Sequence, residues 1–201
     1  RPLYNWIWLG PLMTDRQSNG LEALVRAAGE GSGARPVESW DPPYCGDIGL
    51  AILRDGTWVY QNSPIGRPAL VKLFASILRK DADGRTYLVT PVEMVDVRVE
   101  DAPFLAVEMA VSSSGTNQVL TFRTTADDVV VVGPEHPLRF CRQVLDGGRG
   151  GGLKPYILVR GRLEALVTRA VYADLAELAC PRDDDAGRLG VWSGGTWWEM
   201  G

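Results

Sequence analysis

The sequence predicts an α+β protein in two lobes, each built on a copy of one strand–helix–strand unit. Three observations predict it. Short runs of β-branched and aromatic residues are bounded by Gly, Pro and Asp turns, the mark of strands. Apolar residues at helical spacing occur in only a few segments. One order of elements also recurs. Trp58-Val-Tyr60 leads into Gly66-Arg-Pro-Ala-Leu-Val71, a helix, an acidic glycine turn and Tyr87-Leu-Val89; Tyr156-Ile-Leu-Val159 leads into Gly161-Arg-Leu-Glu-Ala-Leu-Val167, a helix, an acidic glycine turn and Val191-Trp192. The composition, 45% hydrophobic and 23% charged over 201 residues, is that of a globular chain with a core.

Taken in order, residues 1–12 are apolar and aromatic but broken by Pro2 and Pro11, and they stay outside the fold argument; Met13 reads as a natural start. Ser18 and Asn19 offer an N-cap to an amphipathic helix carrying Leu21, Leu24, Val25 and Ala28, which ends at Gly29. Gly31-Ser-Gly33 then reads as a linker, which leaves this helix outside the main body, to pack on its surface or on a partner. Strands follow at Ile48–Leu53 and Thr57–Gln61 around an Asp55-Gly56 turn. A helix from Arg67 carries Leu70, Val71, Phe74, Ile77 and Leu78, and the turn at Asp81–Gly84 breaks it before a strand at Thr86–Val89. Further strands are expected at Val95–Val99, Phe104–Val111, Val119–Thr124, Val129–Val132, Leu138–Val144 and Tyr156–Val159. A third helix, bent midway, is expected to carry Leu163, Leu166, Val167, Val171, Leu175 and Leu178, and Leu189–Met200 closes as a hairpin. The division is then an N-terminal extension 1–39, an α+β lobe 40–98 and a second lobe 99–201.

Charge and cysteine content exclude several classes. A net charge of −4 argues against a dedicated nucleic-acid binder. Cys45, Cys141 and Cys180 are odd in number and widely spaced, which fits buried free thiols in a reducing cytoplasm, not a disulfide framework or a zinc site. No apolar run reaches the ~20 residues of a membrane span, so no membrane insertion is expected. No cofactor motif is present. Gly147–Gly152 lacks the Gly-Lys-Ser/Thr that opens a phosphate-binding helix, and Ser193 lacks the glycine that a nucleophile elbow needs two residues before it.

What chemistry there is concentrates late in the chain. From Glu135 to Ala170, seven arginines and lysines stand against three acids, a local surplus suited to an anion because guanidinium groups bind one bidentately. His136, the only imidazole, lies in the proline-bracketed corner Gly133-Pro-Glu-His-Pro137. Glu93 follows Thr90-Pro91 at a strand end, and Trp192, Trp197 and Trp198 cluster near the C-terminus, as core or as stacking rings.

Several stretches together resemble the bacterial domain of unknown function 1285 family: Pro43-Tyr-Cys-Gly-Asp47, Asp55-Gly-Thr-Trp58, Ser63-Pro-Ile-Gly-Arg67, Tyr87-Leu-Val-Thr-Pro-Val-Glu93, Asp101-Ala-Pro-Phe104, Gly133–Pro137, Pro155-Tyr156 and Val191-Trp-Ser-Gly-Gly195. The resemblance runs in order from about Trp40 to the end. It implies a duplicated α+β fold whose C-terminal lobe is a pleckstrin-homology-like β-barrel with a helix. It also implies a site between the halves for a nucleotide-type ligand, and a role in bacterial signalling. It carries over no catalytic residues.

Two functional readings follow. In the first, a small nucleotide-like anion binds between the lobes, contacted by Arg67, Glu93, His136, Arg139, Tyr156, Arg160 and Trp192, with Arg67 and Arg160 at equivalent points of the two repeats. In the second, the chain is a protein-interaction module that docks a signalling partner through its N-terminal helix or the sheet edge of its second half. An enzyme stands third, because no nucleophile–base pair or metal set can be read.

Overall fold

A computed structural model describes residues 18–29, 35–143, 151–182 and 185–201. The expectations for residues 1–12, Met13, the linker Gly31–Gly33, most of the loop from Gly147, and Asp183 and Asp184 fall outside the described residues.

The first lobe is a mixed six-stranded sheet with two helices. Helix α1 (Ser18–Ala28) precedes a single 3-10 turn at Val37–Ser39. Strands β1 (Leu50–Ile52), β2 (Trp58–Tyr60) and β3 (Ser63–Pro64) form an antiparallel meander, helix α2 (Pro68–Ser76) follows, and a second meander comprises β4 (Leu78–Lys80), β5 (Thr86–Val89) and β6 (Met94–Val99). The order is β3-β2-β1-β6-β5-β4, with β1 and β6 parallel at the centre. Pro68 sits in the first turn of α2, where its missing N–H is not needed. Ile77 ends that helix and Leu78 already belongs to β4, so the helix read from the sequence is shortened at its C-terminal end. Ser18 and Asn19 lie inside α1, not at its cap.

The second lobe begins with β7 (Phe104–Ser112), β8 (Val119–Thr124), β9 (Val129–Val131), β10 (Leu138–Arg142), β11 (Leu153–Arg160) and β12 (Leu163–Val167). Helix α3 (Arg169–Glu177) and the hairpins of β13 (Cys180–Arg182), β14 (Asp185–Ser193) and β15 (Thr196–Glu199) complete it. One sheet runs β10-β11-β12-β7-β8-β9 and the other β13-β14-β15. Ser193 draws them together: its buried Oγ accepts the Leu120 N–H at 3.0 Å and donates to the Val132 carbonyl at 2.9 Å. The result is a curled half-barrel around Val171 and Leu175 of α3.

Two expectations are corrected here. Leu163–Val167 is a strand, with Leu163, Ala165 and Val167 buried and Glu164 and Leu166 half-exposed between them. The segment Leu-Glu-Ala-Leu-Val fits either period, and pairing with β11 and β7 decides it. The two Gly-Arg segments are therefore not equivalent. Gly66-Arg67 opens α2, whereas Gly161-Arg162 turns β11 into β12.

The repetition itself is larger than the sequence suggested: meander, helix, meander occurs as β1–β3, α2, β4–β6 and again as β10–β12, α3, β13–β15, with β10 close to β15 but in a separate sheet, where β1 and β6 pair within one. In that register the counterpart of Arg67, the N-cap of α2, is Thr168, the N-cap of α3, and not Arg160.

One apolar core crosses both lobes, from Leu24 of α1 through Phe74 and Ile77 to Phe104, Phe122 and Val191. Gly56 shows how closely the lobes approach. It takes φ +85°, and a Cβ there would lie 3.0 Å from the Leu105 side chain of the other lobe. Arg160 donates to the Ala75 carbonyl at 2.6 Å, and Lys72 pairs with Asp127 across the same seam.

Candidate functional site

Register between β10 and β11 sets Arg139 opposite Tyr156, and the guanidinium lies 4.4 Å from the ring centroid. Arg139 also makes a two-pronged pair with Glu164 of β12, at 2.5 and 2.6 Å, and donates to Cys141 Sγ. Hydrogen bonding to Glu164 raises the Arg139 pKa above its ordinary value. The Tyr156 hydroxyl donates to Asp101 at 2.6 Å, and Lys154 Nζ donates to the same carboxylate at 2.5 Å. Burial and the Asp101 bond push the phenol up, so it stays protonated. Burial also pushes Asp101 up, but the Lys154 and Tyr156 hydrogen bonds and the Lys154 charge outweigh it, and its carboxyl sits below the usual range. This cluster satisfies itself.

The other residues singled out in the sequence lie apart from it. Arg160 pairs with Asp128 at 2.6 Å, donates to Ala75 and stacks over Phe104 at 4.9 Å. His136 Nδ1 lies 2.9 Å from the Leu158 carbonyl, so that nitrogen carries the proton and donates. Glu93 belongs to a tight turn, its N–H donating to Thr90 Oγ1 at 3.1 Å and its carbonyl accepting the Thr90 N–H at 2.9 Å. Trp192 is half-buried on β14, and its carbonyl accepts from the Gln118 side chain at 2.9 Å. The structure thus brings Arg139 and Tyr156 together and gives Arg160, His136, Glu93 and Trp192 separate partners. Of the cysteines, Cys45 is exposed and Cys141 and Cys180 are half-exposed, which corrects the expectation of buried thiols.

Arg67 stands differently. Its backbone is extended (φ −97°, ψ 107°), its carbonyl accepts the Leu70 and Val71 N–H groups, and its exposed side chain borders a groove of about 830 Å³. That groove lies between α1 and α2, walled by Leu21 and Val25 on one side and by Tyr60, Ile65, Leu70 and Leu73 on the other. Arg26 also borders it, and among the described residues neither Arg26 nor Arg67 makes a side-chain ion pair.

Helix α1 is fixed from its far end. Leu24 and Ala28 are buried, and Arg35 donates to the Ala28 carbonyl, to Gly29 at 3.3 Å and to Ser76 Oγ of α2 at 3.2 Å. The C-terminal ends of the two helices are tied together, and the groove opens toward their N-terminal ends.

Sequence reading reached Arg67 but missed α1 and Tyr60, since it placed the helix outside the main body. The Leu21/Leu24/Val25/Ala28 stripe was the available signal: a stripe of that width must be covered by something.

A second cavity of about 530 Å³ lies beside Glu38, Trp40, Asp81 and Arg162. Arg79 dominates it and is already satisfied, donating to the Val37 and Trp40 carbonyls at 3.0 and 2.7 Å and to Asp81 at 2.6 Å. Among the described residues, no cluster of His, Cys, Asp and Glu could hold a metal ion, and no helix is long and apolar enough to cross a membrane.

Comparison with known proteins gives a consistent result. Residues 35–102 match the model of the N-terminal domain of the domain of unknown function DUF1285, and residues 103–200 match the model of the DUF1285 C-terminal domain. A DUF1285 family protein from Silicibacter pomeroyi DSS-3 is 44% identical and superposes with a TM-score of 0.79, the alignment covering 88% of this chain and 93% of that one. A DUF1285 family protein from Shewanella baltica OS155 is 27% identical, with a TM-score of 0.48 over 65% of this chain and 91% of the other. No curated protein matches the sequence. With both domain models matched in order along one continuous core, this chain belongs to the DUF1285 family.

Proposed function

We propose that the chain is a small-molecule binding module that holds an anion in the groove between α1 and α2, with Arg67 as the principal contact. The observation that carries this is the contrast among the three arginines. Arg139 and Arg160 are engaged by Glu164 and Asp128, whereas Arg67 borders the larger cavity without an ion pair among the described residues. A guanidinium in that state can accept a carboxylate or phosphate without first surrendering a partner. The start of α2 lies at the same edge and favours negative charge.

The seam between the lobes, where the sequence reading put a nucleotide-type ligand, is crossed by Leu105, Arg160 and Lys72, so the proposal moves the site into the first lobe. Bacterial signalling, a cytoplasmic setting and the pleckstrin-homology-like character of the second lobe belong to the same proposal. Three free cysteines support the setting, and the sheet curled around α3 supports the likeness.

A thermal-shift panel of inorganic phosphate, nucleoside mono-, di- and triphosphates and carboxylates tests it. A ligand present at a hundred times its Kd adds about 2.7 kcal/mol, or roughly 5–10 °C for a chain of this size. Arg67→Ala should weaken binding about 10- to 100-fold, the worth of a charged hydrogen bond. An equal shift in the variant, or no shift with any anion, refutes the proposed site.

The protein-interaction reading has one observation of its own. Edge strand β9 exposes Val129 (65%) and Val131 (48%). It gains if the anion panel is silent.

A further inference from the structure

Resting on the reading that Arg67 marks an anion site, we infer that the ligand is an amphiphile: one flexible alkyl chain ending in a carboxylate or phosphate. The walls of the groove decide between classes. A nucleotide needs several converging donors and acceptors to hold its base and sugar. Here the walls are Leu21 and Val25 facing Ile65, Leu70 and Leu73, and the phenol of Tyr60 already accepts from the Gln61 side chain at 3.3 Å. What remains polar is Ser63 and, as an exposed charged rim, Arg26 and Arg67 against one carboxylate, Glu22. An apolar trough with a net positive rim complements a molecule with an apolar body and one anionic end.

The structure also argues against a peptide strand as the occupant. Strand β3 is the edge of its sheet here, but it is two residues long, and Pro64 has no N–H to offer an added strand. Nor is the trough a sealed part of the core, because Val25 is 36% exposed while its neighbour Leu24 is fully buried. Helix α1 therefore presents two apolar rows, and the described residues bury the Leu24/Ala28 row but cover the Leu21/Val25 row only in part.

The test is titration calorimetry with unbranched alkyl carboxylates and alkyl phosphates of eight, ten and twelve carbons, each kept below its micelle concentration. Matching alcohols, acetate, inorganic phosphate and phosphatidylglycerol vesicles serve as the other arms. Affinity should rise about two- to fourfold per methylene as the chain is buried. An alcohol should bind at least tenfold more weakly than the anion of equal length. Val25→Asp, at a solvent-exposed position, should abolish the dependence on chain length, and Arg67→Ala should abolish the preference for the anion.

The outcomes separate the two claims. Anions that bind equally well whatever their chain length overturn the amphiphile and leave the anion site standing. Chain-length dependence with no head-group preference overturns the role of Arg67. Binding to vesicles without binding to monomeric amphiphiles replaces both with a membrane-surface contact, and silence in every arm rejects both.

Discussion

Asp101 sits where the first lobe hands the chain to the second, its side chain only 11% exposed, and two donors converge on it from β11. The aspartate of Asp101-Ala-Pro-Phe104 thereby acquires a structural role, as does the tyrosine of Pro155-Tyr156. Because its folded pKa is depressed, the carboxylate stabilises the native state fully above the unfolded value near 3.9, and that contribution is lost as the pH falls through the lower, folded value. Asp101→Asn keeps an acceptor but removes the charge. It should cost about 1–2 kcal/mol at pH 7, after allowance for solvent at the edge of the cluster. The difference from the parent chain should be smaller at pH 3, below the unfolded value, than at pH 7. Urea denaturation at the two pH values measures this, and a difference that does not change with pH would show that the charge is immaterial.

At the scale of elements, Ser193 is the residue on which the half-barrel closes. Ser193→Ala leaves the Leu120 N–H and the Val132 carbonyl without their shared partner in a fully buried place, at a cost of about 1–3 kcal/mol. Hydrogen exchange should show the largest loss at Leu120 and at the Val132 end of β9, beyond the smaller loss that the amides of β5 and β6 share through global unfolding. Equal loss in both lobes would mean that Ser193 does not act locally. The sequence marked Ser193 only as turn chemistry beside Gly194-Gly195, because its two partners lie more than sixty residues away.

The same distance effect explains the other successes and misses. Thr86–Val89 and Val119–Thr124 were legible to the residue, since turns and β-branched runs define them locally. Leu163–Val167 was not, because its helical and strand patterns coincide and only the neighbouring strands choose between them. Arg67 could be singled out from its place before a helix, but its groove could not. The opposite wall is α1, and the tie that holds α1 runs through Arg35 and Ser76, positions forty-one residues apart in the chain.

For the molecule as a whole, the decisive feature is that two family domains share one core. Phe104 belongs to the second lobe, yet Arg160, stacked over it, reaches the Ala75 carbonyl at the end of α2, and Leu105 lies on Gly56. With apolar packing continuous across the seam, the lobes should unfold together. Fluorine signals from 5-fluorotryptophan at Trp58 in the first lobe and Trp198 in the second offer independent probes of one transition. In the parent chain their denaturant midpoints should coincide. Arg160→Ala removes the bond to Ala75, leaves Asp128 unpaired and strips the cover from Phe104, for a loss of about 2–3 kcal/mol. Both midpoints should fall by the same amount, because the apolar continuity through Phe74, Ile77 and Phe104 survives the substitution. If the Trp58 and Trp198 signals separate already in the parent chain, the lobes are independent folding units. The α1–α2 groove would then belong to a domain that can be tested alone.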